Sequence, residues 1–383
     1  MCSSENMAKL SKELFTIFLF ISIWNSVTLA FPRFPNSPAA TRLPLIIVTN
    51  STNPSEGDFG PFTFNTSTYG IQEAIDFVFS NGGGRIVLKN GIYKLNGSNL
   101  LSLDSSNKDR AALIRIPYPK NDFQYVPLTI EGEGNVWNYQ EGNLGTTIPP
   151  TDGVIIQVVG NNTSVKKPSV IGIQMPPYGG GTYGFRNQVI LSLGYMTIRV
   201  PANSAWGAYD LYYGTSVNVH HAAADMDAPT ADIPEPMFPS MIALQLPEVG
   251  SYGPSIVNGF FAVGYYGGIQ TSSHASLRAI FIQSCKNGFL TETNANHQNY
   301  IADLLIQWCP IGINMSHVQY YYIASYDAEQ TVTSPAQKSW QKHINDIEFS
   351  APGSVVIGHA HAVGSPGKLT TNNSTLLKIL SAS

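Results

Sequence analysis

Two imidazoles and two carboxylates fall close together in VHHAAADMDAP: His220, His221, Asp225 and Asp227. Alternate side chains of an extended chain point the same way, so Asp225 and Asp227 would share a face. Such a pair can share one proton or bind a cation; the alternative is a solvated turn running into the Pro-rich stretch 228–239. Three more histidines, His274, His297 and His317, each sit in a polar turn (SSH, NANH, NMSH). Stacked turns would line them up along one edge, either as ligand contacts or as a structural ladder of like residues. A third set comprises acids in or beside short apolar runs: Asp210, Glu292, Asp303, Asp327, Glu329 and Glu348. Cleaving a glycosidic bond takes two carboxyl groups, one acting as acid and the other as nucleophile or base. The expected catalytic set is Asp225 and Asp227 with Glu292 as partner. Asp327 and Glu329, spaced i/i+2 in SYDAEQ, come next. His220, His221, His274, His297, Trp206 and Tyr266 are the expected substrate contacts, although aromatic rings fill cores as readily as they stack on sugars.

These groups must be positioned by elements, and from Pro254 to Met315 the elements repeat. Three segments, SIVNGFFAVGYYGGIQTSSH, SLRAIFIQSCKNGFLTETNANH and NYIADLLIQWCPIGINMSH, each contain an apolar run, a Gly, a second apolar run and a polar turn. The Gly recurs at 268, 288 and 312, and the last two segments align Ile280/Leu304, Phe281/Leu305, Ile282/Ile306, Gln283/Gln307 and Cys285/Cys309. This period is too short for a βαβ unit and fits one rung of a solenoid that buries its apolar face against its neighbours. The runs are too short for helices and therefore predict strands, stacked as a parallel β-helix. The two cysteines then lie about 4.8 Å apart, either as a disulfide or as stacked inward-facing thiols.

Upstream, Ile71, Ala74, Ile75, Val78 and Phe79 make one face of an amphipathic helix, predicted from about Tyr69 to Asn81 and stopped by Gly82–Gly84. Short strands at 85–88 and 92–95 flank an Asn90-Gly91 turn. Glu131 and Glu133, between glycines in VPLTIEGEG, read as turn residues. The run Ile71-Gln72-Glu73-Ala74-Ile75-Asp76, the GGG turn and Asn90-Gly91-Ile92-Tyr93 resemble the N-terminal region of the pectate-lyase superfamily of right-handed parallel β-helices. That group includes glycoside hydrolase family 55-like enzymes and phage tailspike depolymerases. The resemblance implies an all-β chain, a single right-handed parallel β-helix with the helix capping its first rung. The paired Asp and G-H-G signature of polygalacturonases is absent; GHAH at 358–361 is a partial echo.

Composition narrows the class. The chain is 43% hydrophobic and only 12% charged, about half the charge usual in a globular domain. Its 21 basic and 25 acidic residues leave no basic footprint for nucleic acid. Lys9 and Lys12 precede an apolar run from Leu14 to Trp24 that is too short to span a membrane, and small residues follow at 28–30. Residues 1–30 are thus expected to be a secretory signal peptide, 31–67 an N-terminal arm or first edge strand, 68–363 the β-helix and 364–383 a tail. Sequons at Asn50, Asn65, Asn96, Asn161, Asn162, Asn314, Asn372 and Asn373 would carry glycans in a secreted eukaryotic chain. The expected function is a secreted polysaccharide-active enzyme, a glycoside hydrolase before a lyase. A lyase acting on uronates would need bound Ca²⁺; otherwise no cofactor or metal is expected. A non-catalytic glycan-binding or structural protein would use the same groove without the paired acids.

Overall fold

The computed structural model describes residues 43–104, 109–119, 125–134, 136, 153–160, 165–175, 188–202, 204–228, 233–247, 255–271, 274–291, 298–317, 319–329, 338–362 and 369–382. The expected signal peptide lies outside them, as do Glu292 and His297.

The repeats fold as rungs. Each contributes a long strand to one parallel sheet and a short strand to a second. The long strands Gln188–Pro201, Ser216–Asp227, Ser255–Val263, Ala275–Gln283, Gln298–Gln307, Gln319–Glu329 and Gly353–Ala362 lie side by side in that order. The short ones, Gly207–Asp210, Ile242–Gln245, Gly267–Thr271, Asn287–Thr291, Ile311–Met315 and Asn345–Phe349, are likewise parallel neighbours in chain order. Consecutive strands that alternate between two sheets, each pairing with its counterpart in the next rung, make a parallel β-helix. The register read from the repeats is the one formed: Ile280, Phe281, Ile282 and Gln283 face Leu304, Leu305, Ile306 and Gln307.

The repeated glycines have a packing role. Gly268, Gly288 and Gly312 are register neighbours with no side chain to fill the interior. A Cβ at Gly268 would come within 2.6 Å of Ile282 Cγ2, and one at Gly288 within 2.6 Å of Ile306 Cδ1. Gly at these places lets the large side chains of the opposite sheet cross the core. Cys285 and Cys309 are fully buried free thiols. Burial, together with the neighbouring Cys285, holds the Cys309 thiol well above the ordinary range.

Four successive long strands bend midway at a left-handed residue. Tyr195, His221, Gly259 and Ala279 occupy the same place in successive rungs, and all have left-handed backbones (φ 54, 45, 78 and 52). The bend gives the larger sheet two outer faces, a leading one before the column and a trailing one after it. Gly264, Ser284 and Trp308 form a second left-handed column where the chain turns toward the smaller sheet. Earlier rungs split the long strand in two. Tyr125–Gly132 pairs with the first half of Gln188–Pro201, and Val154–Val159 pairs with the second.

Segments outside the repeats complete both ends of the larger sheet, the first of them the edge strand allowed for within 31–67. Leu45–Val48 pairs in parallel with Gly84–Leu88, and Leu377–Ala382 pairs with Gly353–Ala362. Their apolar residues continue the core rows, so both segments join the sheet. The helix α1 runs Ile71–Ser80, shorter by about a residue or two at each end than its periodicity predicts, and buries Ile71, Gln72, Ala74, Ile75 and Val78. Its start is satisfied by Thr68, whose Oγ1 accepts from the Gln72 amide at 3.0 Å and donates to Glu73 at 3.3 Å. Gln72 explains why a polar residue sits on the buried face. Its amide donates to the Arg115 carbonyl at 2.9 Å and accepts from the Arg115 N–H at 2.8 Å, docking α1 on the strand Arg110–Ile116.

Candidate active site

On the trailing face, alternate residues point outward and form rows across the rungs. One row runs Thr197, Ala223, Phe261, Phe281, Leu305, Asp327 and His361; the next runs Arg199, Asp225, Val263, Gln283, Gln307 and Glu329. The two rows change character along the solenoid. Phe261 and Phe281 lie 4.8 Å apart, ring to ring. Beyond Leu305, Asp327 Oδ1 is 3.2 Å from His361 Nδ1, both side chains being nearly half exposed. In the second row the Gln283 amide donates to Gln307 at 2.7 Å, and the Gln307 amide donates to Glu329 at 2.7 Å. Asp327 and Glu329 thus share one face of one strand, as their i/i+2 spacing requires, about 6.5 Å apart along the backbone.

The segment VHHAAADMD is strand throughout. Ser216–Asp227 pairs along its whole length with Gln188–Pro201, so the solvated turn is not what forms. Asp225 is buried, and both of its oxygens are taken by Arg199, from Nε at 3.0 Å and Nη2 at 2.6 Å. Each oxygen thus already accepts one charge-assisted hydrogen bond within the fold. Burial pushes its carboxyl above the usual range, against the pull of Arg199. Asp227, exposed at the strand end, accepts from Gln157 at 3.1 Å.

The expected substrate contacts are scattered. Trp206 is fully buried in the core, with no ring face open to a ligand. Tyr266 is partly buried, with the Lys286 ammonium 5.7 Å from its ring. His274 is exposed with a left-handed backbone. His317 is tied to the preceding rung, its amide donating to Thr291 Oγ1 at 2.8 Å. His220 and His221 lie at the bend on the leading face, His221 stacked on Tyr195 with centroids 5.3 Å apart.

The leading face also corrects the reading of Glu131. It lies in the strand Tyr125–Gly132, not in a turn, because Val87 and Gly194 pair on either side of it. Its carboxylate meets Arg85 Nη2 at 2.7 Å and His220 Nε2 at 3.3 Å. Ser192, beside His220, carried no signal in the sequence, since its partners lie on the neighbouring strands, far away along the chain.

The smaller sheet carries a cavity of about 220 Å³ lined by Lys167, Ser169, Gly207, Asp210, Gln245 and Gln270, among others. One lining residue, Asp210, pairs with Arg110 at 2.8 Å, and the Arg110 guanidinium lies 3.8 Å over the Tyr212 ring. Burial pushes the Asp210 carboxyl up, with Arg110 and Lys167 opposing. Among the described residues, no three His, Cys, Asp or Glu side chains group at metal-binding spacing.

No family model and no curated protein matches the chain. Among solved structures, the chain is similar to the A-module of mannuronan C-5 epimerase AlgE4 from Azotobacter vinelandii. The identity is 13% over 82% of this chain and 90% of that one, with a TM-score of 0.34. The architecture stands on this chain's own strand pairing, that of a parallel β-helix.

Proposed function

We propose that the protein is a secreted polysaccharide-active enzyme, a glycoside hydrolase that binds its chain along the trailing face of the larger sheet. The observation that carries this reading is the pair Asp327 and Glu329, two outward carboxylates on one strand in adjacent rows, the Asp327 row also carrying the tilted ring pair Phe261 and Phe281. Their backbones are about 6.5 Å apart, a spacing from which the two side chains can set their carboxyl groups at the ~5 to 9.5 Å that glycosidases use. Asp327, one hydrogen bond from His361, is placed to protonate the leaving oxygen. Glu329, accepting from Gln307, is placed to act on the anomeric carbon or on water. Phe281, two rungs or about 10 Å from Asp327, offers a ring edge for the neighbouring sugar. Asp225 and Asp227 lie at the far end of the same face, where the Arg199 pair fixes the sheet.

The test measures reducing-end release over a panel of polysaccharides, together with absorbance from unsaturated products. Asp327→Asn and Glu329→Gln should each lower hydrolysis by about 10² to 10⁴-fold with the melting temperature nearly unchanged. Near-parental rates in both variants would remove this pair. Unsaturated products without hydrolysis would make the enzyme a lyase.

A further inference from the structure

On the leading face, Ser192, His220 and Glu131 meet from three successive strands. Glu131, Gly194 and His220 are register neighbours in that order. The acid and the imidazole therefore start about 10 Å apart and reach each other across a glycine. Any Cβ at Gly194 would collide with the His220 ring, so the glycine is what lets the ring lie down. His220 Nε2 is 3.3 Å from Glu131 Oε1, and its Nδ1 is 3.5 Å from Ser192 Oγ. A carboxylate only accepts, so Nε2 carries the ring proton, Nδ1 presents a lone pair, and the Ser192 hydroxyl is the donor to it. Arg85 holds the other carboxylate oxygen, donating from Nε at 2.9 Å and Nη2 at 2.7 Å.

The ring is further fixed by Tyr195, whose edge meets it at 5.2 Å. Tyr195 and His221 both hold left-handed backbones, each at a cost of about 1–2 kcal/mol. Ser192 and His220 are partly exposed, and Asn218, the register neighbour of Ser192, is exposed on the same face.

The geometry points to Ser192, His220 and Glu131 as an acyl-transfer site that hydrolyses carboxylic esters carried on molecules able to approach an open sheet face. This is a second activity, and it does not depend on Asp327 or Glu329. Ser192 Oγ adds to the ester carbonyl carbon while its proton passes to His220 Nδ1, and the carbonyl electron pair moves onto oxygen. Glu131 orients the ring and stabilises the imidazolium, the part an acid plays in such triads. Asn218 lies one strand spacing, about 4.8 Å, from Ser192 and is placed to donate to the oxyanion. Collapse breaks the bond to the alcohol oxygen, which takes the proton from Nδ1. Water then attacks the acyl-serine, again giving its proton to Nδ1. Release of the acid returns that proton to Ser192. The 3.5 Å separation is in keeping with the looser hydrogen bonds of ligand-free sites.

The experiment treats the full chain with a fluorophosphonate probe and follows 4-nitrophenyl acetate hydrolysis in parallel. A covalent adduct mapped by peptide mass to Ser192 is expected. Ser192→Ala and His220→Gln should lower ester hydrolysis by about 10² to 10⁴-fold, with Ser192→Ala melting like the parent. Glu131→Gln should lower kcat and the labelling rate with little change in KM, because Glu131 acts through His220 as a positioning residue. Absence of an adduct at Ser192, or parental hydrolysis by Ser192→Ala, would overturn the proposal. Labelling of the unmodified chain keeps the test sound should a variant fold poorly.

Discussion

Asp225 shows how little a carboxylate's place in the sequence says about its work. Its neighbours in the chain, Ala224 and Met226, are uncharged, and its partner Arg199 belongs to the preceding rung. Removing one member of a buried pair leaves the other charge uncompensated, at about 3–5 kcal/mol. Asp225→Asn should therefore lower stability, measured by thermal melting or denaturant titration, far more than it lowers turnover per folded molecule. The pH dependence has a definite sign. Burial raises the Asp225 carboxyl above its ordinary value, so the native state binds that proton more tightly than the unfolded chain does. Its contribution to stability grows as pH falls from the raised value toward the ordinary ~3.9 of an aspartate and is lost as pH rises through the raised value. Asp225→Asn should flatten that part of the melting profile.

At the scale of elements, α1 contacts Leu45–Val48, Gly84–Leu88, Arg110–Ile116 and Tyr125–Gly132, strands drawn from both sheets at the start of the solenoid. We take it to seal that end. Ile75→Asp would bury an unpaired charge on the docked face, at a cost of several kcal/mol, and should abolish recovery of soluble protein. A variant recovered and melting like the parent would show that the helix seals nothing. Cys285 and Cys309 test the stacking of rungs in the same way. Both thiols should resist alkylation in the native protein and react promptly on denaturation, as read by intact mass. Ready labelling of the native chain would break the register.

Across the whole molecule each rung touches mainly its neighbours, so stability should vary along the axis. Leu377–Ala382 is largely exposed, whereas Leu45–Val48 lies beneath α1. Hydrogen exchange should be fastest in the last strand and slowest in the central ones, with the first strand better protected than the last. Equal protection at the two ends would contradict the sealing role of the helix. Gly288→Val would push side-chain atoms toward Ile306 and the next rung. Overpacking of this kind costs about 1–3 kcal/mol and should show as a lower melting midpoint and faster exchange in the neighbouring rungs.

The repeat, its register from Ile280 to Gln307, the amphipathic helix and the shared face of Asp327 and Glu329 were all legible in the sequence. Each depends on spacing along one strand, one helix or one strict period, which the chain carries locally. The bends were not legible. Tyr195, His221 and Trp308 all have left-handed backbones, and as non-glycine residues their types do not announce it. Nor could spacing show that Trp206 is core, that Glu131 is strand, or that Asp225 belongs to Arg199. Ser192, His220 and Glu131 lie far apart in the chain and meet only where stacked rungs bring them together. Contacts made across rungs depend on which side chains share a row and where a glycine leaves room, and those were decided by the tertiary structure alone.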